Sequence, residues 1–217
     1  MKDKIKLRID FVSDVSCPWC AIGLRSLEIA LERTSDEIDA DIYFQPFELN
    51  PRMPPEGENI VEHIAHKYGS TPEQSEAARA AMKARAKELG FTMAMTAESR
   101  IYNSFDAHRM LHWAATEGRQ LALKRALFQA YFTEGRDISD HNVLVSAAAA
   151  ADLDPGSAGA ILASDKYLGE VREAEDRWLS EGISAVPAVI LEDRLLISGG
   201  QPPEVFEQAL SRVAKHQ

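Results

Sequence analysis

The chain opens with an alternation of polar and apolar side chains. Between Lys6 and Phe11 polar and apolar side chains alternate at successive positions, which is typical of a half-buried β-strand. From Pro18 onward the period becomes that of a helix, with one apolar face made by Cys20, Leu24, Leu27 and Leu31. Residues 41–45 then predict a second strand. A strand, a helix and a strand in this order indicate a right-handed βαβ unit.

The middle of the chain has the spacing of helices. Residues 47–59 predict a loop, because they contain Pro51, Pro54, Pro55 and Gly57. Beyond this loop, residues that commonly begin helices occur at Thr71–Pro72, Ser139, Asp154–Pro155 and Ser164. We therefore predict a helical block over residues 57–181.

The strand pattern returns near the C-terminus. Residues 186–191 and 195–198 are short apolar runs separated by a tight turn, which predicts a hairpin, and Pro202 opens a final helix. This layout predicts an α/β fold in which residues 1–56 and 182–217 form one sheet-containing core. The block over 57–181 is then a large all-helical domain inserted between the second and third strands.

The composition narrows the classes of function. Asp and Glu number 34 against 24 Lys and Arg, a net charge of −10, which argues against nucleic-acid and membrane partners. The first residues are charged and no apolar run approaches the roughly 18 residues of a membrane span, so we expect neither a signal peptide nor a transmembrane helix. Two cysteines do not make a disulfide-stapled scaffold, and we expect a cytoplasmic protein.

The two cysteines form a Cys-x-x-Cys motif, Cys17-Pro18-Trp19-Cys20, between a predicted strand and a predicted helix. This context is typical of thiol–disulfide redox sites. Cys17 would lie at the helix N-terminus, where a thiolate is stabilised, while Cys20 would continue the buried apolar face. We therefore expect Cys17 to be accessible and to attack a substrate disulfide, and Cys20 to displace the product.

Other interpretations of these residues stay open. A zinc site needs further ligands, although we predict no metal and no cofactor. The other candidate ligands are the six histidines His63, His66, His108, His112, His141 and His216. The cysteines could also be an inert reduced pair. Taken by itself, the Val186-Pro187 sequence predicts an ordinary trans peptide bond before a proline at the start of a strand.

Several sequence blocks together resemble the DsbA-like thioredoxin-fold oxidoreductases, in particular their FrnE-type branch. The resemblance covers essentially the full length. It is carried by the blocks Asp14–Cys20 with Gly23, Phe47–Pro51, Asn103–Ser104 with Ala107–Arg109, Val186–Ala188 and Gly199–Pro203.

The resemblance implies a thioredoxin-like fold with an inserted helical domain. It makes Pro187 the cis-proline beside the cysteines, where the backbone of Val186 would pair with an extended substrate segment. Pro18 and Trp19 would tune the reduction potential. Asn103 and His108 match family blocks, but helix capping and packing are the roles expected of them.

The implied function is that of a protein dithiol–disulfide oxidoreductase acting on protein thiols or disulfides, with glutathione as a further candidate partner. Relatives of the same architecture, the 2-hydroxychromene-2-carboxylate isomerases and the kappa-class glutathione transferases, carry a serine at the position of Cys17. A glutathione-dependent isomerase or transferase is therefore the alternative, and a non-enzymatic binding module is a third. The direction of the redox reaction and the oligomeric state stay open.

Overall fold

A four-stranded sheet and the helices around it account for most of the computed structural model, which describes residues 4–216. The strands, in chain order, are β1 (Ile5–Ser13), β2 (Ile38–Pro46), β3 (Glu58–Asn59), β4 (Arg100–Ile101), β5 (Ala188–Leu191) and β6 (Leu195–Ser198). The helices are α1 (Pro18–Arg33), α2 (Ile60–Tyr68), α3 (Pro72–Glu88), α4 (Phe105–Thr116), α5 (Gln120–Phe128), α6 (His141–Ala150), α7 (Pro155–Leu162), α8 (Leu168–Ser180) and α9 (Pro203–Ala214). Gln129–Thr133 continues α5 as a turn of π-helix.

The sheet has the strand order β2-β1-β5-β6. Strands β1 and β2 are parallel, as the predicted βαβ unit requires, and Phe11 of β1 lies opposite Phe44 of β2. Strand β5 runs antiparallel to β1 and pairs with β6 in the predicted hairpin. The hairpin turn places Glu192 and Asp193 at positive φ angles of 52° and 51°. Val186 lies before β5 and is therefore outside the sheet ladder.

Helix α1 forms because its sequence suits both its start and its packing. Pro18 occupies the first turn, where its missing N–H costs no hydrogen bond, and Cys20, Leu24 and Leu27 are buried. Helix α9 lies beside α1 and is joined to it by ion pairs from Arg33 to two glutamates of α9, at 3.2 and 2.6 Å.

The segment between β2 and β5 is helical, as predicted, apart from the short antiparallel ladder of β3 and β4. Thr71 and Asp154 cap α3 and α7 as expected. The starts predicted at Ser139 and Ser164 are wrong.

Each of these two hydroxyls is bound elsewhere. The Ser139 hydroxyl donates to Asp137, so Asp140 caps α6 instead. The Ser164 hydroxyl donates to the carbonyl of Ile161 at the end of α7, and α8 begins only at Leu168. Ser164 therefore closes one helix rather than opening the next.

The outer strand β2 is closed by a side chain from the helical segment. The Gln120 amide donates to the carbonyl oxygen of Phe44 at 2.9 Å, and its Oε1 accepts from the Phe44 N–H at 2.9 Å. One side chain thus reproduces the pair of hydrogen bonds that a neighbouring strand would make. Such closure protects the edge of a sheet against pairing with another chain.

The larger of two hydrophobic clusters among residues 4–216 joins the sheet and the helical segment. It contains Phe11 and Leu24 from one part and Leu127 and Phe132 from the other, all at most 2% exposed. The division into a core of residues 1–56 and 182–217 and an insert of residues 57–181 stays a prediction. Among the described residues, no helix is both long and apolar enough to cross a membrane.

Candidate active site

The Cys-x-x-Cys motif lies where the chain passes from β1 into α1. Cys17 is the N-cap of α1, with an extended backbone (φ −88°, ψ 113°), and Pro18 follows in the first turn. The Cys20 N–H donates to the Cys17 carbonyl at 3.0 Å, which closes that turn. The Cys17 thiol therefore lies at the positive end of a 16-residue helix, where a thiolate is favoured.

The two thiols, which are free, differ in their surroundings. Cys17 is only 3% exposed, so it is more enclosed than expected, but it lines a cavity of about 470 Å³. Cys20 is fully buried and does not line that cavity. Burial, followed by the hydrogen bond and the charge of Cys17, raises the pKa of Cys20 well above its usual range. The Cys17 sulfur is thus accessible to a substrate through the cavity, whereas the Cys20 sulfur is not.

Val186 and Pro187 lie beside Cys17, as the family resemblance implied. The Cys17 thiol donates to the Val186 carbonyl oxygen at 3.6 Å, and the Val186–Pro187 peptide bond is cis. The Pro187 ring packs against Gly23 of α1, where an added Cβ would be 3.2 Å from the proline Cγ. The structure therefore brings together residues that are 169 positions apart in sequence.

The turn after β6 also contacts the motif. A Cβ on Gly200 would lie 2.9 Å from the Trp19 carbonyl oxygen and 3.2 Å from the Trp19 ring. Glycine is required there because the turn passes directly over the first turn of α1. Trp19 itself is 43% exposed, so its ring borders the entrance to Cys17. In sequence, Gly200 was part of the block Gly199–Pro203 that resembles the family, but no contact with the motif was expected of it.

The buried carboxylate of Asp14 holds the loop that carries the motif, and nothing in the sequence indicated this role. Asp14 accepts hydrogen bonds from the backbone N–H groups of Ser16 at 3.0 Å and Leu49 at 2.7 Å. Its Oδ1 lies 3.7 Å from Nε2 of the buried His108. Burial opposes ionisation of Asp14, but His108 and the two N–H groups outweigh it and lower its pKa to about 2. Asp14 therefore fixes the loop that carries Cys17 against the loop that follows β2.

The cavity at Cys17 is walled mainly by apolar side chains of the helical segment. Its apolar lining includes Leu49, Ile60, Ile64, Met95, Ile101 and Tyr131. Lys67 supplies a positive charge at the wall, where its ammonium donates to the Leu49 carbonyl at 2.7 Å and to Asn50 Oδ1 at 2.6 Å. Burial lowers the pKa of Lys67.

Residues proposed for other roles have structural partners. The Asn103 side chain accepts from the Phe105 N–H at 2.9 Å and so supports the start of α4. His63 contacts Glu58 and Asn50. Within residues 4–216, no three His, Cys, Asp or Glu side chains are grouped so that they could hold a metal ion.

Comparison with known proteins agrees with this geometry. A family profile described as the DSBA-like thioredoxin domain matches residues 8–211. A structure described as a probable DsbA oxidoreductase from Streptomyces coelicolor superposes with a TM-score of 0.89 at 32% identity, covering 97% of this chain and 91% of that one.

More distant structures share the fold. A cytosolic disulfide reductase, DsbM from Pseudomonas aeruginosa, solved with GSH, has a TM-score of 0.65 at 17% identity over 96% of this chain and 100% of that one. A 2-hydroxychromene-2-carboxylate isomerase has a TM-score of 0.72 at 15% identity over 96% of this chain and 97% of that one. The profile match and the Streptomyces coelicolor relative show that the chain belongs to the family of DSBA-like thioredoxin domains.

Proposed function

We propose that the chain is a dithiol–disulfide oxidoreductase in which Cys17 attacks and Cys20 resolves. The observation that carries the proposal is the difference between the two sulfurs: Cys17 borders the 470 Å³ cavity at a helix N-terminus, and Cys20 is buried behind it. The Cys17 thiolate attacks one sulfur of a substrate disulfide and releases the other as a thiolate. The Cys20 thiolate then attacks Cys17, releases the second substrate thiol and leaves a Cys17–Cys20 disulfide. Two electrons pass from the protein to the substrate, and the oxidase direction is the reverse.

The backbone beside Cys17 supports a peptide substrate. The Val186 carbonyl lies within 3.6 Å of the Cys17 sulfur, so a chain whose cysteine reaches Cys17 also passes Val186. Main-chain hydrogen bonds at Val186 would hold an extended segment without reading its sequence. Trp19 and Pro18 occupy the rim, and the apolar wall of the cavity accommodates a neighbouring side chain.

Glutathione is the second candidate substrate, and the cavity favours it. A volume of about 470 Å³ lies within the range of small-molecule sites, and the Lys67 ammonium at the wall suits a carboxylate. The DsbM structure described with GSH has the same fold, although its identity of 17% carries no residue-level correspondence.

The same relative is described as cytosolic, which supports a cytoplasmic location for this chain. The FrnE-type branch stays a prediction from the sequence blocks.

The test is a comparison of Cys17→Ser and Cys20→Ser with the unmodified protein. The reduced proteins are mixed with a disulfide-bonded peptide or with glutathione disulfide, alkylated, and analysed by mass spectrometry. We expect Cys20→Ser to accumulate a mixed disulfide at Cys17, Cys17→Ser to form none, and the unmodified protein to form the Cys17–Cys20 disulfide. Turnover that survives in Cys17→Ser would refute the assignment.

A second assay separates the isomerase alternative. With glutathione and 2-hydroxychromene-2-carboxylate, a glutathione-dependent isomerase would convert the substrate even when both cysteines are replaced by serine. We expect no such conversion.

The preferred direction of the dithiol reaction follows from the reduction potential in glutathione buffers. A value near about −120 mV indicates an oxidant and one near about −270 mV indicates a reductant.

A further inference from the structure

A turn of π-helix follows α5 next to the cavity that holds Cys17. Over Gln129–Thr133 the backbone hydrogen bonds span five residues instead of four, as in the bond of 3.0 Å from the Glu134 N–H to the Gln129 carbonyl. Such turns are rare in proteins and are frequent at functional sites. This one contains Tyr131, which is 8% exposed and lines the cavity. The turn is therefore a feature of the site that the exchange between the two cysteines leaves unexplained.

The Tyr131 side chain is held both at its ring and at its hydroxyl. The ring packs edge-on against the ring of Phe132, with centroids 4.7 Å apart, and against that of Tyr102 at 6.4 Å. The hydroxyl donates to the carbonyl oxygen of Arg100 at 3.0 Å. Arg100 precedes Ile101 in β4, and Ile101 also lines the cavity. The ring of Tyr131 and the side chain of Ile101 therefore form one fixed part of the cavity wall.

The same turn fixes a second part of the wall. The Phe132 carbonyl accepts from the Ala94 N–H at 2.7 Å, and the Thr133 hydroxyl donates to the Thr92 carbonyl at 2.6 Å. These two bonds fasten the segment that follows α3, and this segment carries Met95, which is 7% exposed and lines the cavity. One side of the cavity thus depends on three consecutive residues of the π-helical turn.

The wall formed in this way is apolar and borders the same cavity as the Cys17 sulfur. It is made of five side chains, those of Tyr131, Met95, Ile101, Ile60 and Ile64. Val186, whose carbonyl oxygen lies 3.6 Å from the Cys17 sulfur, lines the cavity as well. A peptide that passes Val186 can therefore place the residue next to its reacting cysteine against this wall. Burial of an apolar side chain there is favourable through the hydrophobic effect.

We propose that Tyr131 is a specificity-determining residue, which selects peptide disulfides by the size of the apolar residue next to the reacting cysteine. The inference rests on the proposed dithiol function. A cavity of about 470 Å³ is near the lower end of the range for small-molecule sites, so it has room for the cysteine and one side chain of moderate size. A bulkier side chain would have to displace the Tyr131 ring. That displacement would break the hydrogen bond to Arg100 and the packing on Phe132.

The experiment compares three peptide disulfides that differ only in the flanking side chain. They are the symmetrical disulfides of alanyl-cysteine, leucyl-cysteine and tryptophanyl-cysteine, blocked at both ends so that no carboxylate can bind Lys67. Each is mixed with the reduced full-length protein, the reaction is quenched with acid, and the released peptide thiol is measured by chromatography. We expect the leucyl peptide to react at least about tenfold faster than the alanyl peptide, and the tryptophanyl peptide to react no faster than the leucyl peptide.

Substitutions of Tyr131 then test which part of its side chain limits the size. In Tyr131→Leu the ratio of the tryptophanyl rate to the leucyl rate should rise about tenfold, because the ring no longer occupies the wall. Tyr131→Phe keeps the ring and should leave the ratio unchanged. The matched control is Phe128→Leu, which replaces a buried ring by leucine three residues earlier, at a position that does not line this cavity. It should also leave the ratio unchanged.

The ratio separates selection by size from a loss of stability. All three rates are measured on the same protein, so a smaller folded fraction lowers them together and leaves their ratio unchanged. An unchanged ratio in Tyr131→Leu, or an equal rise in Phe128→Leu, would overturn the proposal. If Tyr131→Leu does not fold, the unmodified protein decides, since a tryptophanyl rate above the leucyl rate shows that the ring sets no limit. An unmodified protein that reacts with none of the three peptides would instead contradict the proposed function.

Discussion

Replacing Asp14 with asparagine should destabilise the fold in a pH-dependent manner. Asp14 accepts two backbone hydrogen bonds, from Ser16 and Leu49, and its pKa is lowered from 3.8 to about 2. At about 1.36 kcal/mol per pKa unit, ionised Asp14 stabilises the folded state by roughly 2 kcal/mol. Asparagine keeps the shape but turns an NH₂ group toward one of the two N–H donors. The total loss at pH 7 should therefore be at least about 2 kcal/mol.

The sign of the pH dependence is fixed by the direction of the pKa shift. Because the folded-state pKa of Asp14 lies below its value in the unfolded chain, its stabilisation is complete above about pH 5 and is lost as the pH falls toward 2. Near pH 3 about half of the ionisation contribution should remain. The difference in stability between Asp14→Asn and the unmodified protein should therefore narrow as the solution is acidified.

The assay is urea unfolding, followed by tryptophan fluorescence, at several pH values between about 7 and 3. Asp39→Asn is the matched control, because Asp39 is an exposed residue of β2. It should change the free energy of unfolding by less than about 0.5 kcal/mol at any pH. A gap for Asp14→Asn that stays constant between pH 7 and 3 would refute the assignment of the stabilisation to the ionised carboxylate.

Two further substitutions test the close contact at Gly200 and the closure of the β2 edge by Gln120. Gly200→Ala places a methyl group 2.9 Å from the Trp19 carbonyl oxygen and should lower the free energy of unfolding by about 1–3 kcal/mol in thermal or urea unfolding. The control, Gly159→Ala, lies in open space on α7 and should stabilise the protein slightly. Equal effects of the two substitutions would contradict the close contact. Gln120→Ala removes both hydrogen bonds to Phe44 and should cost about 1–2 kcal/mol and increase self-association in light scattering. An equally stable, monodisperse variant would show that the edge of β2 needs no closure.

The sequence predicted those parts of the molecule that depend on local pattern. The alternation in β1, the apolar face of α1 and the spacing of the cysteines correctly indicated the strand–helix junction. The pairing of Val186 and Pro187 with Cys17 could not be obtained from pattern, because those residues are far apart in sequence. It was expected only because the whole set of blocks resembles a known family.

The buried charged and titratable residues near the cysteines could not be predicted from the sequence, for a physical reason. Lys124 reads as an ordinary polar position of a helix, and only the packed structure shows that it is 0% exposed. His108 and Asp14 are 94 residues apart, and neither has a local partner that would suggest their contact. Contacts between distant segments decide the electrostatics of this site, and a periodicity analysis contains no information about them.

The larger hydrophobic cluster, which joins the sheet to the helical segment, has an evolutionary consequence. The two sulfurs and Asp14 lie within residues 14–20, whereas His108 and about half of the residues that line the cavity come from residues 57–181. Under the proposed function, mutation or recombination within residues 57–181 can therefore alter the cavity wall, and with it the choice of substrate, while both sulfurs stay unchanged. A lineage with this architecture can diversify its chemistry without ever touching its cysteines.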